Sequence, residues 1–522
     1  MGMVAPQQRI ASAFAVVFGG YGDVSRCAQE RGVCRQWLYR ESAWVLAILE
    51  GTAWRRQIAD LRQQVRDLQE QVAGLEQRLE QAVVLDRDKQ AEMACVAQAM
   101  GVSLPEVHAL LEVLRPGQIA SVSSLGRWTK AAGEKSSALL AVLDEYSRAQ
   151  VRQAAADEIY VTDPVLMVVE PESLCWISGR LTESVSGKAW AEEFRQLPAL
   201  EQVTRDGGGG LRNGVAAVNQ EHQQQGHQPV ADQLDHFHTL RGGSQGVAKQ
   251  ERATRQALAE AEALQDEVES KSWRGKSVNG ISQRAGGAWA RARKAMDTWQ
   301  ERDEVWQKTK AALQLITPEG ELNTRARAEA ILAETLPQLP DADFAKTKRM
   351  LQQPEALTYL DEVQRKLAAL PVPADVRQAA VRQEGLRRRP ELLQGENPRA
   401  AALRGVLLMC AVVLAKAGAA GQQAVEAVQK IFRNTWRASS LVECINSVLR
   451  MQQARHRKMS QGLLDLKRLY WNCHEFRTGR RRGTSPYQRL GVPWPEGLSW
   501  WDVLKWSPEQ LRERLSTVKN AK

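Results

Sequence analysis

Apolar and polar positions change their period several times along the chain, and each change marks an element. Residues 7–50 carry helical spacing, broken at Gly19-Gly20-Tyr21-Gly22. From Asp23 to Arg40 the pattern predicts two helices joined by a tight turn, a helix-turn-helix. Asp23 is placed to cap the first helix, and Ala28 is small enough for a close crossing. Gly32 makes the turn, Val33 plugs the core, and Arg35, Gln36, Tyr39 and Arg40 face outward on the second helix. A bland three-helix packing module would need the same Ala, Gly and Val; the basic, polar outer face favours nucleic-acid binding. Next, Ile58, Leu61, Val65, Leu68, Val72, Leu75, Leu79 and Ala82 recur at alternating spacings of three and four, with Arg, Gln, Glu and Asp between them. That stripe predicts a coiled coil, pairing with a second copy or with another helix of the chain; the alternative is one amphipathic helix laid on a domain. A second helical unit follows, where Ala97 to Ser103 repeats the turn rhythm ahead of a mostly apolar helix (Leu110, Leu111, Val113, Leu114), and it reads as a packing unit.

At residue 157 the period shortens to that of strands. Glu158–Val161, Val165–Val169 and Leu174–Ser178 are strand-like runs separated by Thr162-Asp163-Pro164 and Glu170-Pro171-Glu172-Ser173. A helix over 186–197, a strand over 200–206, a helix over 210–224 and an apolar stretch ending in Asp235-His236-Phe237-His238 complete a small α/β core. From 240 to 430 the chain reads as helical throughout, and helices are expected again at 439–453 and 460–471. The longest apolar run, Val406 to Leu414, is short of the ~20 residues that cross a bilayer, so it is expected to be a buried core helix and no membrane span is expected. The Trp/Pro-rich end (Trp494, Trp500, Trp501, Trp506) is expected to be irregular and docked on the surface.

The fold class is therefore multidomain, α plus α/β, with a mixed-sheet core interrupted by a large all-α insertion. Expected domains are residues 1–52 (helix-turn-helix), 53–87 (coiled coil for dimerisation), 88–150 (small helical domain), 151–240 (first part of the core), 241–430 (insertion), 431–492 (second part of the core) and 493–522 (C-terminal segment).

Composition changes this picture in two places. Lys and Arg number 71 against 61 Asp and Glu, an excess of ten that suits a polyanionic partner, and eleven of the basic residues against two carboxylates lie between Asn446 and Arg489. They include Arg450, Arg455, Arg457, Lys458, Lys467, Arg468 and the Arg480-Arg481-Arg482 run. Seven cysteines form no CxxC pair, and with no secretory signal at the N-terminus they read as reduced thiols of a cytoplasmic protein.

Candidate chemistry rests on three acids from separate elements. Asp157 is read as beginning the first strand, Asp206 as closing the fourth, and Glu443 as lying on the polar stripe of a helix whose core face is Leu441, Ile445 and Val448. Three such carboxylates could hold two Mg²⁺ ions, with phosphate completing the shell. With 61 acids in the chain, spacing alone selects this trio weakly; Glu158 and Asp163 are neighbours that could take the place of Asp157.

The strings around these acids add a resemblance. Asp157-Glu158-Ile159-Tyr160 with its Pro164-led second strand, Asp206-Gly207-Gly208-Gly209-Gly210-Leu211, and Ser440 to Arg450 followed by Tyr470-Trp471-Asn472 and Arg477 to Tyr487 resemble a bacterial insertion-sequence transposase of the DDE, RNase H-like type. Asp235-x-x-His238 is similar to the C/D-x-x-H signature of the Mutator and hAT branches. The likeness covers about residues 150–492; the four glycines after Asp206 are a looser turn than that family's.

The resemblance implies an RNase H-like core with Asp157, Asp206 and Glu443 as ligands of two Mg²⁺ ions, Mn²⁺ substituting, and with His238 (or its competitor His236) steadying the site. It implies DNA strand cleavage and strand transfer at element ends and target DNA, in a homodimer or higher oligomer associated with the nucleoid. DNA contacts are expected at Arg35, Gln36, Tyr39, Arg40, Trp273, Arg450, Arg455, Arg457, Lys458, Arg480, Arg481 and Arg482. Trp273 lies in a basic break of the insertion and is the candidate for stacking on a flipped base. Two competing readings are a catalytically inactive DNA-binding regulator derived from such an enzyme and a helical scaffold, the latter leaving the 450–489 basic cluster without a role.

Overall fold

The start of the chain forms a helical unit of its own, Met1–Asp86, followed by a second unit, Arg87–Lys522. The computed structural model describes residues 5–81, 85–455, 459–495 and 497–521. In the first unit α1 (Pro6–Phe18) carries its proline in the first turn, where the missing N–H leaves nothing unpaired. Then come α2 (Asp23–Glu30), α3 (Arg35–Leu49) and α4 (Thr52–Gln81). The α2–α3 turn works as the sequence predicts: Gly32 sits at φ +65°, and Val33 packs with Cys27, Ala28 and Leu38 in a small core. Asp23 does not cap α2. Gly22, at φ +93°, is the capping residue, and the Asp23 carboxylate inside the first turn accepts from the Gly20 amide at 2.6 Å.

The second unit is built on a sheet. Among the described residues its strands are β1 (Gln153–Tyr160), β2 (Pro164–Glu170), β3 (Cys175–Leu181), β4 (Gln202–Arg205) and β5 (Ala231–Leu234), in the order β3-β2-β1-β4-β5. β1–β2 and β2–β3 are antiparallel hairpin pairs; β4 and β5 run parallel to β1, each reached through a helical crossover. Those crossovers are α8 (Gly187–Arg195) and α9 (Gly209–Gln224). The central strands are apolar on both sides because both faces are covered. Ala154, Ala156, Leu166, Val168 and Ile177 pack with α8, α9 and α7 (Val122–Ser147). Ala155, Ile159, Val165, Met167 and Val169 pack under α18 (Ser440–Arg455).

Two preceding helices, α5 (Arg87–Ala99) and α6 (Leu104–Leu114), join α7. Residues 88–150 are therefore not a separate domain: Leu139, Leu140 and Leu143 of α7 belong to the same core as the sheet. The insertion starts with two long helices, α10 (His236–Trp273) and α11 (Asn279–Ala312). It continues through α12 (Arg325–Thr335), α13 (Asp341–Leu351), α14 (Thr358–Ala368), α15 (Ala374–Arg387), α16 (Pro398–Lys416) and α17 (Ala419–Arg433) around a core of its own.

Two expectations are overturned here. The Val406–Leu414 run is not buried: α16 keeps Ala400, Cys410 and Leu414 inside, while Leu408 and Met409 are 67% and 64% exposed. Its alanine-rich flanks also extend the apolar run, so that α16 is long and apolar enough by length and composition to cross a membrane, with 11% of the window buried. The C-terminal segment is not irregular either. It forms α21 (Trp500–Lys505) and α22 (Pro508–Ala521), and Trp494, Trp500, Leu511 and Leu515 enter the sheet core.

Between these lie α19 (Gln461–Cys473) and α20 (Pro486–Leu490). α19 seals the free edge of β3 with side chains in place of a strand. Asn472 accepts from the Trp176 amide and donates to its carbonyl, both at 2.8 Å, and Gln461 does the same for Leu181 and Gly179 at 3.0 and 2.9 Å. An unpaired strand edge is a template for association, and these amides close it.

Candidate active site

The parallel register of β1 and β4 decides where two of the acids meet. Ala156 pairs with Arg205, so the next residues, Asp157 and Asp206, follow side by side at the ends of that ladder. Asp157 is the fifth residue of β1, not its first, because the small residues Ala154–Ala156 are already strand. Asp206 stands one residue beyond β4. Its Oδ1 accepts from the Gly208 amide at 2.7 Å, and Arg205, fully buried, clamps the strand end by a two-pronged pair with Asp232 at 2.7 and 2.8 Å. The glycine run serves space more than backbone freedom. A side chain at Gly208 would meet Asp206 Oδ1 and Glu158 Oε1 at 2.9 and 3.2 Å, and one at Gly210 would collide with the Val185 carbonyl.

Glu443 arrives from α18, in the first turn of the helix. The face of α18 turned to the sheet is Val442, Ile445, Asn446 and Leu449, one position round from the expected Leu441, Ile445 and Val448. This i, i+3, i+4, i+7 set puts Asn446, which is fully buried, against β1. Asn446 Nδ2 donates to Asp157 Oδ2 at 2.9 Å, and the Glu158 amide donates to Asp157 Oδ1 at 2.9 Å. Burial first, and then the negative charges of Asp206 and Glu443, push the Asp157 carboxyl up to about 7. That shift is the electrostatic sign that the three acids share one neighbourhood.

The Asp235-x-x-His238 string acquires a physical role. Asp235 caps α10, accepting from the Phe237 amide at 2.7 Å, and its other oxygen accepts from the Ser439 hydroxyl at 2.9 Å, one residue before α18 begins. One turn into α10, His238 places Nε2 3.6 Å from Asp235 Oδ2 and 3.7 Å from Glu443 Oε1. His236 is different: it is buried, its Nε2 bonds the Ala356 carbonyl at 2.7 Å, and burial lowers its pKa to about 4. His236 is satisfied structurally, and His238 is the histidine beside the acids.

Glu158 points to the opposite face of β1 from Asp157, towards the turn that carries Asp206. Burial and Asp206 raise its carboxyl to about 7. Asp163 lies exposed in the β1–β2 turn. Among the described residues no three His, Cys, Asp or Glu side chains are gathered closely enough, as oriented, to hold a metal ion. Glu443 is turned to Arg450, at 2.9 and 3.2 Å. The donor chemistry nevertheless suits a hard divalent cation: Asp206 and Glu443 lie within electrostatic reach of Asp157, and Asn446 Oδ1 and Glu158 Oε2 are buried with no hydrogen-bond partner. Ser439 and Asn446 are the site residues that sequence reasoning missed. The available signal was the spacing of Asn446, i+3 from Glu443, on the inner face of the same helix.

The basic residues divide. Arg35, Gln36, Tyr39 and Arg40 are all exposed on the first two turns of α3, as expected. Trp273 closes α10 and is 89% exposed, with Arg274 and Lys276 beside it. Arg450 is beside Glu443. The Arg480–Arg482 run is anchored at the β2–β3 turn, where Arg481 donates to the Pro171 and Glu172 carbonyls, 3.1 Å each. Lys467 and Arg468 are buried, the first on the Gln98 and Ala99 carbonyls at the end of α5, the second paired with Asp144. The Arg455 side chain, Arg457 and Lys458 lie outside the described residues. Comparison with protein families, with curated proteins and with solved structures finds no match to this chain.

Proposed function

We propose that this protein is a DNA transposase of the DDE type, with an RNase H-like core interrupted by the helical insertion. The observation that supports the reading is that Asp157 on a central strand, Asp206 at the end of its parallel neighbour and Glu443 on a helix laid across the sheet lie within electrostatic reach of one another. The strand order, with one hairpin pair on either side of β2 and two parallel crossovers beyond β1, supports the RNase H-like assignment. A sheet used in this way delivers acids from strand ends into a cleft while its rigid ladder holds their spacing.

In this reading Asp157, Asp206 and Glu443 would hold two Mg²⁺ ions, which when bound supply Lewis-acid activation of a water or 3′-hydroxyl and charge neutralisation at the phosphate. The chain's own residues do the positioning. Asn446 and the Glu158 amide fix both oxygens of Asp157, and the Gly208 amide fixes Asp206. His238 and Arg450 hold Glu443 from two sides and offer positive or hydrogen-bonding groups to a scissile phosphate. The exposed α3 face would read element ends, and Trp273 would stack on an unpaired base. Pairing of α4 with a second copy would join the two ends.

The test is cleavage of labelled DNA carrying the element's ends with Mg²⁺ or Mn²⁺, comparing wild type with Glu443→Gln. Cutting by wild type and none by the variant, with binding retained, is the expected result. Binding without cutting by wild type would favour the inactive DNA-binding regulator, whose motivating observation is the Arg450 pair that occupies Glu443. Equal cutting by both proteins would remove Glu443 from the site.

A further inference from the structure

We infer that the partner of α4 is the α4 of a second copy, parallel and in register, in a two-stranded coiled coil. Ile58, Leu61, Val65, Leu68, Val72 and Leu75 form a single stripe on a 30-residue helix, and every one of them is between 45% and 62% exposed. An apolar seam of that length does not stay in water when a second copy can cover it. With half of each side chain open, the six residues offer roughly 500 Å² per copy before their flanks are counted, so two copies reach the ~1,000 Å² that a specific interface clears.

The chemistry of the seam then fixes strand number and direction. Spacing assigns Ile58, Val65 and Val72 to the first core position of each heptad and Leu61, Leu68 and Leu75 to the second. β-Branched residues at the first and leucine at the second favour two parallel strands, because only the parallel dimer gives each residue type its own packing layer. The flanks agree. Parallel pairing sets Gln57 against Arg62, Gln64 against Gln69, and Gln71 against Glu76, with no like charges opposed. An antiparallel arrangement would bring Arg62 to Glu76, so the flanks permit either direction and the core layers decide it. Asp60, Arg66, Asp67 and Glu70 fall outside the seam and keep it soluble.

Parallel pairing has a consequence for the helices before the coil. α1–α3 of both copies stand at the same end of the dimer. There the apolar groove between α1 and α3, about 640 Å³ and lined by Pro6, Ile10, Trp44, Ile48 and Leu49, adjoins the turn into α4. If α3 binds DNA as proposed above, the two α3 faces would engage two half-sites together; this last step rests on that reading, whereas the dimer does not.

The experiment uses the full chain with the two exposed cysteines removed (Cys34→Ser, Cys444→Ser) and either Leu61→Cys or Leu75→Cys added. The two proteins, differing in mass by a tag, are mixed, allowed to exchange and oxidised. Expected products are 61–61 and 75–75 crosslinks only, with a dimer by light scattering. A 61–75 product, or no crosslink, overturns the parallel register; a monomer or a trimer overturns the two-stranded coil. Val65→Asp combined with Leu68→Asp is expected to weaken association on the order of a hundredfold or more while leaving the circular dichroism of the second unit unchanged. Unaltered dimerisation in that variant would place the interface elsewhere. None of these readouts uses DNA, so cleavage failure and pairing failure remain separable.

Discussion

Replacing Asp157 by Asn should stabilise the protein and, on the proposed reading, abolish cleavage, and the size of the first effect can be worked from its surroundings. The residue is 7% exposed and shares its neighbourhood with Asp206 and Glu443; burial first, and then these two charges, carry its carboxyl from the ordinary 3.8 to about 7. A carboxyl raised in the folded state binds its proton more tightly there than in the unfolded chain. The fold is therefore most favoured below pH ~4 as far as this group is concerned, and loses stability as pH rises through about 7. Each pH unit of displacement is worth 1.36 kcal/mol, so the ionised Asp157 costs up to about 4 kcal/mol at pH 8. The repulsion is shared with its neighbours, and a gain of about 2–4 kcal/mol on neutralisation is expected.

Asparagine is a fair substitute sterically. The Asp157 oxygens both accept, one from Asn446 and one from the Glu158 amide. The amide introduced by Asp157→Asn would face the Asn446 donor, but Asn446 Oδ1 is buried without a partner, so turning the Asn446 amide over restores the bond. The assay is urea unfolding of wild type and Asp157→Asn at pH 5 and pH 8, without divalent cations. The variant should be more stable at pH 8, and the difference should shrink by more than half at pH 5, where folded wild type keeps Asp157 protonated. A variant that is less stable at pH 8, or a gain independent of pH, would refute the claim that like charges crowd this position. Adding Mg²⁺ should narrow the gap at pH 8 by stabilising wild type alone, by an amount set by ligand concentration over Kd.

Two further outcomes follow from particular contacts. Asn472→Ala strips the Trp176 amide of its partner at a buried strand edge, while the Trp176 carbonyl keeps Arg468 Nε at 2.9 Å, and should lower stability by about 1–3 kcal/mol in denaturant titration; a loss under about 0.5 kcal/mol would mean that the edge is closed by something else. Trp273→Ala, at a site 89% exposed, should leave unfolding unchanged within about 0.5 kcal/mol and weaken binding to DNA with an unpaired base by about 1–3 kcal/mol, measured by fluorescence anisotropy; equal binding would confine the residue to solvent.

Much of the fold is legible in the sequence because its punctuation is local. Thr162-Asp163-Pro164 and Glu170-Pro171-Glu172-Ser173 bracket β2 on both sides, and Gly32 forces the α2–α3 turn at a positive φ that few other residues adopt. Where pattern and structure part, the deciding partner is distant. Ala154–Ala156 are too small to announce a strand, so the pattern starts β1 at Asp157, which is its fifth residue. Leu441, Ile445 and Val448 satisfy a helical period as well as Val442, Ile445 and Leu449 do, and only the sheet beneath α18 selects the second set. For α16 the pattern registers an apolar helix but carries no information on which faces are covered.

The candidate site shows the same division more sharply. Its three acids stand out through local strings, Asp157-Glu158, Asp206-Gly207-Gly208 and Glu443 within a helix, whereas the bonds that orient them join residues 204 and 289 positions apart: Ser439 to Asp235 and Asn446 to Asp157. Both bonds cross the whole insertion. Asp235 and Ser439 sit at its two margins, the cap of α10 and the residue before α18, so this one buried bond ties the exit from the core to the return. Asn446 then seats α18 on β1, which is what brings Glu443 over Asp157. The insertion's own core fixes the distance between its margins, and Arg437 reaches back to give the His236 amide its carbonyl partner. Glu443 therefore comes within electrostatic reach of Asp157 on a helix seated by bonds that span the insertion, a segment that supplies none of the three carboxylates.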